Sequence, residues 1–174
     1  MPSEPFIIRR LASPAEPELE ALALVLIDCV DGGASVSFMQ PLSLERAVAF
    51  WRRIAAEAAR GARILLVAED ASGIVGTVQL VFAEPENQPH RAEISKMLVH
   101  RRARRHGIGA ALMRAAEDAA REAGRSLLVL DTASGDAERL YARLGWTLLG
   151  IIPDYALWPR GGLCSTSVFY RRLA

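Results

Sequence analysis

Cysteine and lysine are almost missing from this chain. Its two cysteines, Cys29 and Cys164, stand far apart with no CxxC spacing, which excludes a disulfide framework or a structural zinc site as the organising device and marks both as buried thiols. Lys96 is the only lysine among 21 basic residues, so arginine runs reflect a residue preference and carry functional weight only from context. No apolar run approaches the roughly 20 residues that cross a bilayer, and the opening Met1-Pro2-Ser3-Glu4-Pro5 lacks the basic-then-apolar order of a secretory leader. The expected location is therefore the cytoplasm, with no membrane partner. An excess of one charge is lacking as well. The formal net charge is +1, and no aromatic is interleaved with Arg101, Arg102, Arg104 and Arg105, so no nucleic-acid partner is expected.

What is present is an ordinary globular composition, 51% hydrophobic and 24% charged over 174 residues. That length supports one domain, 1–174, with a sizeable core and leaves no room for two ordinary ones. Residues 6–10 predict a strand, ended by the proline-punctuated stretch 13–17. Leu19, Leu22, Leu26 and Cys29 recur at helical spacing until Gly32 and Gly33, after which residues 32–39 read as a loop. Ser43 is the expected N-cap of a second helix with Ala47, Val48, Trp51 and Ile54 on one stripe, closed by Gly61. Runs 64–68 and 74–82 predict a hairpin, and residues 91–99 alternate as a further strand. Ile108, Ala111, Leu112, Ala115 and Ala119 make a helical stripe that stops at Gly124. A strand at 127–130, a short helix at 136–144 and strands at 147–152 and 165–170 complete the order. Such an order packs as a mixed α/β sheet with helices on both faces.

The chemistry concentrates in Arg104-Arg105-His106-Gly107-Ile108-Gly109-Ala110, between a strand and a helix. Glycines let an anion approach the backbone, and the first N–H groups of a helix, with its dipole, are ready donors to phosphate. A pyrophosphate cradle is one reading; a solvated basic turn that needs glycine to start a helix is the other. A P-loop is excluded, since no Gly-Lys-Ser/Thr triplet follows. A dinucleotide fingerprint needs a third small residue where Leu112 stands, although Asp131 lies near the distance at which that motif places its acid. His90, His100 and His106 lack metal-ligand spacing on a common face, so no metal is expected.

Arg104-x-x-Gly107-x-Gly109 after a strand, with Leu140-Tyr141-x-x-x-Gly145-Trp146 beyond it, resembles the acyl-coenzyme A motif and tyrosine motif of the GNAT N-acetyltransferases. Residues 32–39, the strand 91–99 and Leu130-Asp131-Thr132 are similar, more narrowly, to tabtoxin-resistance-type acetyltransferases. The resemblance implies the acyl-CoA N-acyltransferase fold: a mostly antiparallel sheet of about seven strands, splayed between the fourth and fifth. It implies acetyl-CoA as cosubstrate and direct acetyl transfer to a primary amine in a ternary complex. The pantetheine arm would enter the splay and bond to backbone around Met97, Leu98 and Val99. N–H groups from Arg105 through His106, Gly107, Ile108 and Gly109 to Ala110 would hold the pyrophosphate, with charge added by Arg104 and its neighbours. The family's asparagine seven residues before the tyrosine is Ser134 here.

Tyr141 matches the tyrosine that protonates or positions the departing thiolate, while helical spacing with Ala137 and Leu144 fits a core aromatic as well. An ammonium must lose a proton before it attacks, so a base or relay is needed. Glu93 and Asp131 are the best-placed carboxylates. Asp131 follows an apolar run and is expected to be partly desolvated; a salt bridge of Glu93 to Arg91 or Lys96 and a loop-capping role for Asp131 are the alternatives. For the acceptor, Ser35, Phe38, Met39 and Trp51 are expected near an apolar wall, Glu93, Asp131 and Asp154 near the ammonium, and Lys96 or Arg91 near a carboxylate. An amino-acid-like acceptor, such as a metabolite, toxin or antibiotic, is expected, with polyamines and aminoglycosides as the runners-up because the carboxylates would suit them too. The alternatives are a non-catalytic acyl-CoA sensor or interaction module and an enzyme of peptide or protein amines. Trp158 and the closing hairpin offer a homodimer surface or, alternatively, an acceptor wall.

Overall fold

The computed structural model describes residues 5–174; the opening segment Met1-Pro2-Ser3-Glu4, read above for a leader, lies outside them. Strand β1 (Ile7–Arg10) precedes helices α1 (Glu16–Asp31) and α2 (Leu44–Ala59), then β2 (Arg63–Asp70), β3 (Gly73–Phe82) and β4 (Arg91–Val99). Helix α3 (Ile108–Glu122), β5 (Leu127–Thr132), α4 (Gly135–Arg143), β6 (Thr147–Leu157) and β7 (Leu163–Arg172) follow. The sheet runs β1-β2-β3-β4-β5-β7-β6, with β4 and β5 parallel and the other pairs antiparallel.

Strand β2 shows how the sequence builds two cores. Ile64, Leu66 and Ala68 join a cluster with Ile108, Leu112 and Ala116 of α3, while Leu65 and Val67 join Leu22, Leu26 and Trp51 of α1 and α2. Side chains alternate across a strand, so burial on both faces turns the pattern into an unbroken apolar run. Two serines cap helices, and Ser43 is the one that the sequence implies. Ser43 Oγ accepts from Arg46 N–H at 3.3 Å, and Ser134 Oγ accepts from Ala137 N–H at 3.4 Å. Both cysteines are buried and free.

The closing hairpin is longer than its sequence suggests. The strand expected over 147–152 runs past Pro153, and β6 continues to Leu157. It lies at the sheet edge, where a missing N–H removes no ladder bond. The register shifts between Ile152 and Ala156, and Asp154 takes a left-handed φ of 52° there, which is a bulge that absorbs the proline. The hairpin tip reaches the α1–α2 loop: Gln40 N–H donates to Pro159 O at 2.9 Å, and Ser35 Oγ to Leu157 O at 3.0 Å. Arg160 adds bonds to Gln40 and to Asp31 O.

Candidate active site

Strands β4 and β5 pair at Arg91↔Leu127, Ala92↔Leu128 and Glu93↔Val129. Beyond Glu93 they part, although β5 stays on β7 as far as Thr132↔Ser167. The cause lies in β4. Thr77 faces Leu98 and Gln79 faces Ser95, so Lys96 and Met97 together oppose Val78, and Lys96 adopts a left-handed φ of 50°. A bulge of this kind bends its strand and interrupts the ladder. It also reverses side-chain parity. Ile94 belongs to the core beneath α3 and Leu98 to the core beneath α1 and α2, so the simple alternation that placed Ile94, Lys96 and Leu98 on one face is corrected. Met97 packs against the α3 side.

Helix α3 opens beside this gap. Its first intrahelical bond runs from Ala111 N–H to Gly107 O at 3.0 Å, which leaves the N–H groups of Ile108, Gly109 and Ala110 without an intrahelical acceptor. No side chain caps them, and the first turn carries no acid. Gly107 holds φ +82°, and a Cβ there would enter open space. A polyphosphate fits such a cradle, because the donors converge and nothing covers them. Gly109 serves another purpose: a Cβ would stand 3.1 Å from Leu140 Cδ2 and 3.8 Å from Met97 Sδ. It lets α3 close on α4 and β4, and the buried Ile108 side chain anchors the same turn.

The basic run is largely bound into the fold. Arg101 bonds Asp28 through its backbone N–H and Nε at 2.7 and 2.9 Å, and Arg102 pairs with Asp70 at 3.1 Å. Arg104 Nε donates to Val99 O at 3.0 Å, and its Nη2 lies 3.8 Å from Cys29 Sγ. Arg105 and His106 are exposed at the helix mouth, and among the described residues Arg105 makes no ion pair. Among the described residues neither Arg104 nor Arg105 joins an ion pair, and Arg105 is the one whose side chain no hydrogen bond holds.

Tyr141 on α4 is 4% exposed and packs on Trp146 and Phe169. The Trp146 indole N–H donates to buried Glu117 at 2.9 Å, which fixes the corner after Gly145. Burial first, and then the charge of Asp131, hold the Tyr141 phenol well above its ordinary value, so it keeps its proton at neutral pH. Asp131 itself is exposed. The desolvation expected for it is absent because it lies past the last residue of β5 that faces the core, Leu130. Its carboxylate accepts a hydrogen bond from the buried Thr166 hydroxyl on β7 at 2.7 Å. Glu93 is exposed as well, and neither acid joins an ion pair among the described residues. Arg91 instead bonds Gln88 at 2.8 Å, at the far end of the strand.

Lys96 links the gap to a cleft of about 420 Å³ lined by Ser37, Phe38, Phe50, Arg53, Glu57, Arg63, Gln79 and Ser95 among others. Its Nζ donates to Ser37 Oγ at 3.1 Å. Burial lowers its pKa below the usual lysine range, against the opposing pull of Asp131 and Glu93. Phe38 stands in this wall, edge-on to Phe50 with centroids 5.2 Å apart. Trp51 does not, since it is fully buried in the core beneath α2; its helical stripe points inward. Met39 and Asp154 are exposed outside the lining, Ser35 faces the hairpin, and Trp158 sits at the hairpin turn. Arg53, Phe50, Arg63 and Gln79 escaped the sequence reading, because they come from three elements that meet only in the folded sheet. Thr166 escaped for the same reason.

A family model described as the acetyltransferase (GNAT) family matches residues 35–146. The chain is similar in fold to a GNAT superfamily phosphinothricin acetyltransferase from Sinorhizobium meliloti, solved in complex with AcCoA, at TM-score 0.81 and 20% identity, covering 97% of this chain and 89% of that one. It is similar to a ribosomal-protein-alanine N-acetyltransferase from Brucella melitensis at TM-score 0.80 and 24% identity, over 96% and 99%. An N-acetyltransferase from Staphylococcus aureus Mu50 matches at TM-score 0.80 and 18% identity, over 98% and 99%.

Proposed function

The chain belongs to the GNAT acetyltransferase family, and from that premise we propose that residues 1–174 form one domain that moves acetyl from acetyl-CoA to a primary amine of a small, amino-acid-like molecule. The observation that carries this is the parting of β4 and β5 after Glu93↔Val129, with the uncapped start of α3 packed against Met97 at its edge. Acetyl-CoA supplies an acetyl group activated on sulfur. Around it, the N–H groups of Ile108, Gly109 and Ala110, with Arg105 and His106 beside them, hold the pyrophosphate. Backbone at Met97, Leu98 and Val99 receives the pantetheine arm, and Ser134, whose oxygen already caps α4, retains its hydroxyl proton to donate.

Tyr141, kept neutral by its surroundings, is the proton donor to the leaving sulfur. Asp131, oriented by Thr166, and Glu93 take the proton from the incoming ammonium directly or through water. Lys96, Ser37 and Phe38 line the path of the acceptor. Transfer is direct, since no buried nucleophile with a base beside it stands in the gap among the described residues. No described helix is long and apolar enough to cross a membrane, and a cytoplasmic location is part of the proposal.

The test is thiol release from acetyl-CoA with amino acids, polyamines, aminoglycosides and peptide N-termini, each with and without enzyme. Turnover of a small amine supports the reading. Acetyl-CoA binding without turnover on the whole panel identifies a sensor, and acetylation confined to peptides moves the acceptor to protein. The exposed Leu148, Leu149, Ile151, Ile152 and Tyr155 on edge strand β6 exceed what a solitary surface strand usually shows. They support a homodimer through this hairpin, which sedimentation over a concentration range confirms or rejects.

A further inference from the structure

The cleft beside the gap is charged asymmetrically. Arg53, Arg63 and Lys96 line it against one acid, Glu57. Arg63 pairs with Glu57 and also donates to Gln79 Oε1. Since a guanidinium only donates, this bond fixes the amide orientation of Gln79. Its Nε2 is thereby turned away from Arg63, and Gln79 is fully buried with that Nε2 left without an acceptor. The Arg63 Nε is buried and unpartnered too. Arg53 stands nearby with its guanidinium 5.5 Å from the Phe50 ring centroid, close enough for its charge, after burial itself, to push the Arg63 guanidinium below its ordinary value.

Two unsatisfied buried donors are costly in an empty cleft, and Glu57 offsets only one of the cations Arg53, Arg63 and Lys96 there, so an anion relieves both. We propose that the Arg53–Arg63–Gln79 corner is a subsite for a carboxylate of the acceptor. Arg63 Nε and Gln79 Nε2 donate to it from beneath, and Arg53 covers it from the rim. Lys96, in the same lining, adds a third cation, and Glu93 acts on both Lys96 and Arg63 from outside the cleft. The lining thus carries a net positive charge suited to a carboxylate, with the Phe38–Phe50 edge pair as an apolar wall. An acceptor that carries a carboxylate, such as an amino acid, matches this charge; a polyamine or aminoglycoside would set a cation against Arg53 and Arg63.

This subsite rests on the acetyltransferase reading above, so its test has one arm in turnover and one without it. In turnover, each amino acid is compared with its C-terminal amide. Charge-assisted hydrogen bonds of this kind support a preference for the free acid of about tenfold or more in kcat/KM. Arg53→Met, on an exposed helix face, and Gln79→Met, which keeps volume and removes both the free donor and the acceptor of Arg63, each reduce that ratio by about fivefold or more. In the second arm, calorimetry follows N-acetyl amino acids and their C-terminal amides, which need no transfer to bind. Carboxylate-selective binding that Arg53→Met weakens upholds the subsite even if no amine is acetylated, a result that would overturn the acetyltransferase reading alone. Equal use of acid and amide, or equal loss of both in Arg53→Met, overturns the subsite and leaves the acetyltransferase standing. If Gln79→Met does not fold, Arg53→Met decides by itself.

Discussion

Thr166 donates its buried hydroxyl to the exposed carboxylate of Asp131 at 2.7 Å. One strand thereby orients an acid that its own strand leaves in solvent. Replacing Thr166 by Val keeps the shape and removes the bond, which is worth about tenfold where a charged partner is involved. Thr166→Val is expected to lower kcat about that much with KM little changed, and Asp131→Asn to lower it further. Steady-state kinetics across pH on both variants check this; an unmoved kcat in Thr166→Val together with Asp131→Asn removes Asp131 from the proton path.

For Tyr141 one substitution gives two readouts. Tyr141→Phe keeps the ring against Trp146 and Phe169 and removes the proton, so kcat falls on the order of 10²-fold while acetyl-CoA affinity holds. The second readout follows from linkage. A phenol whose pKa is raised in the folded state contributes stability that is complete below its unfolded value, about 10, and lost as pH rises through the folded value. The alkaline limb of Tm against pH is therefore shallower in Tyr141→Phe. A change in the limb with no change in kcat makes Tyr141 a packing residue.

The two glycines of the cradle separate experimentally. Gly107→Ala places a Cβ in open space at a left-handed φ, costing about 1 kcal/mol of stability and obstructing the anion. Acetyl-CoA affinity measured by calorimetry is expected to drop about tenfold or more in a folded protein. Gly109→Val drives its side chain into Leu140 and is expected to lower Tm by several degrees first. Unchanged affinity in Gly107→Ala would displace the cradle.

Lys96 is the only lysine, so reductive methylation with ¹³C-formaldehyde gives one lysine resonance. It is expected to titrate below the ordinary lysine value of 10.5, and lower still in Asp131→Asn, which removes an opposing charge. The unfolded chain binds the extra proton between the two values, so stability rises with pH through that window. Lys96→Met abolishes that slope. A resonance that titrates at the ordinary value would place Lys96 in solvent.

Much of the fold was legible because local signals agreed with one another. Ser43, Gly61, Gly124 and the apolar runs of β2 and β5 each stated the element that formed. The start of α3 was legible too, since Gly107 takes the left-handed φ just before it. Two things were hidden. Lys96 does not advertise a left-handed φ, so the bulge that reverses parity between Ile94 and Leu98 had no residue-level signal of its own. Arg63, Gln79 and Arg53 lie on β2, β3 and α2, and their convergence depends on register across the sheet, which no local pattern encodes.

The parting of the strands also divides the molecule mechanically. The core beneath α1 and α2 is drawn from residues between Leu11 and Leu98, whereas β5 and β7 contribute only to the core beneath α3. Three residue pairs of ladder join the halves, beside the core beneath α3 that they share and the bonds of the hairpin tip to the α1–α2 loop. The segment from β5 onward is thus the more weakly moored half, and its amides are placed to exchange by sub-global opening at a lower free energy than those of β2 and β3. Anything that bonds to both edges of the gap supplies the rungs the sheet itself omits, and by mass action it knits two cooperative units into one.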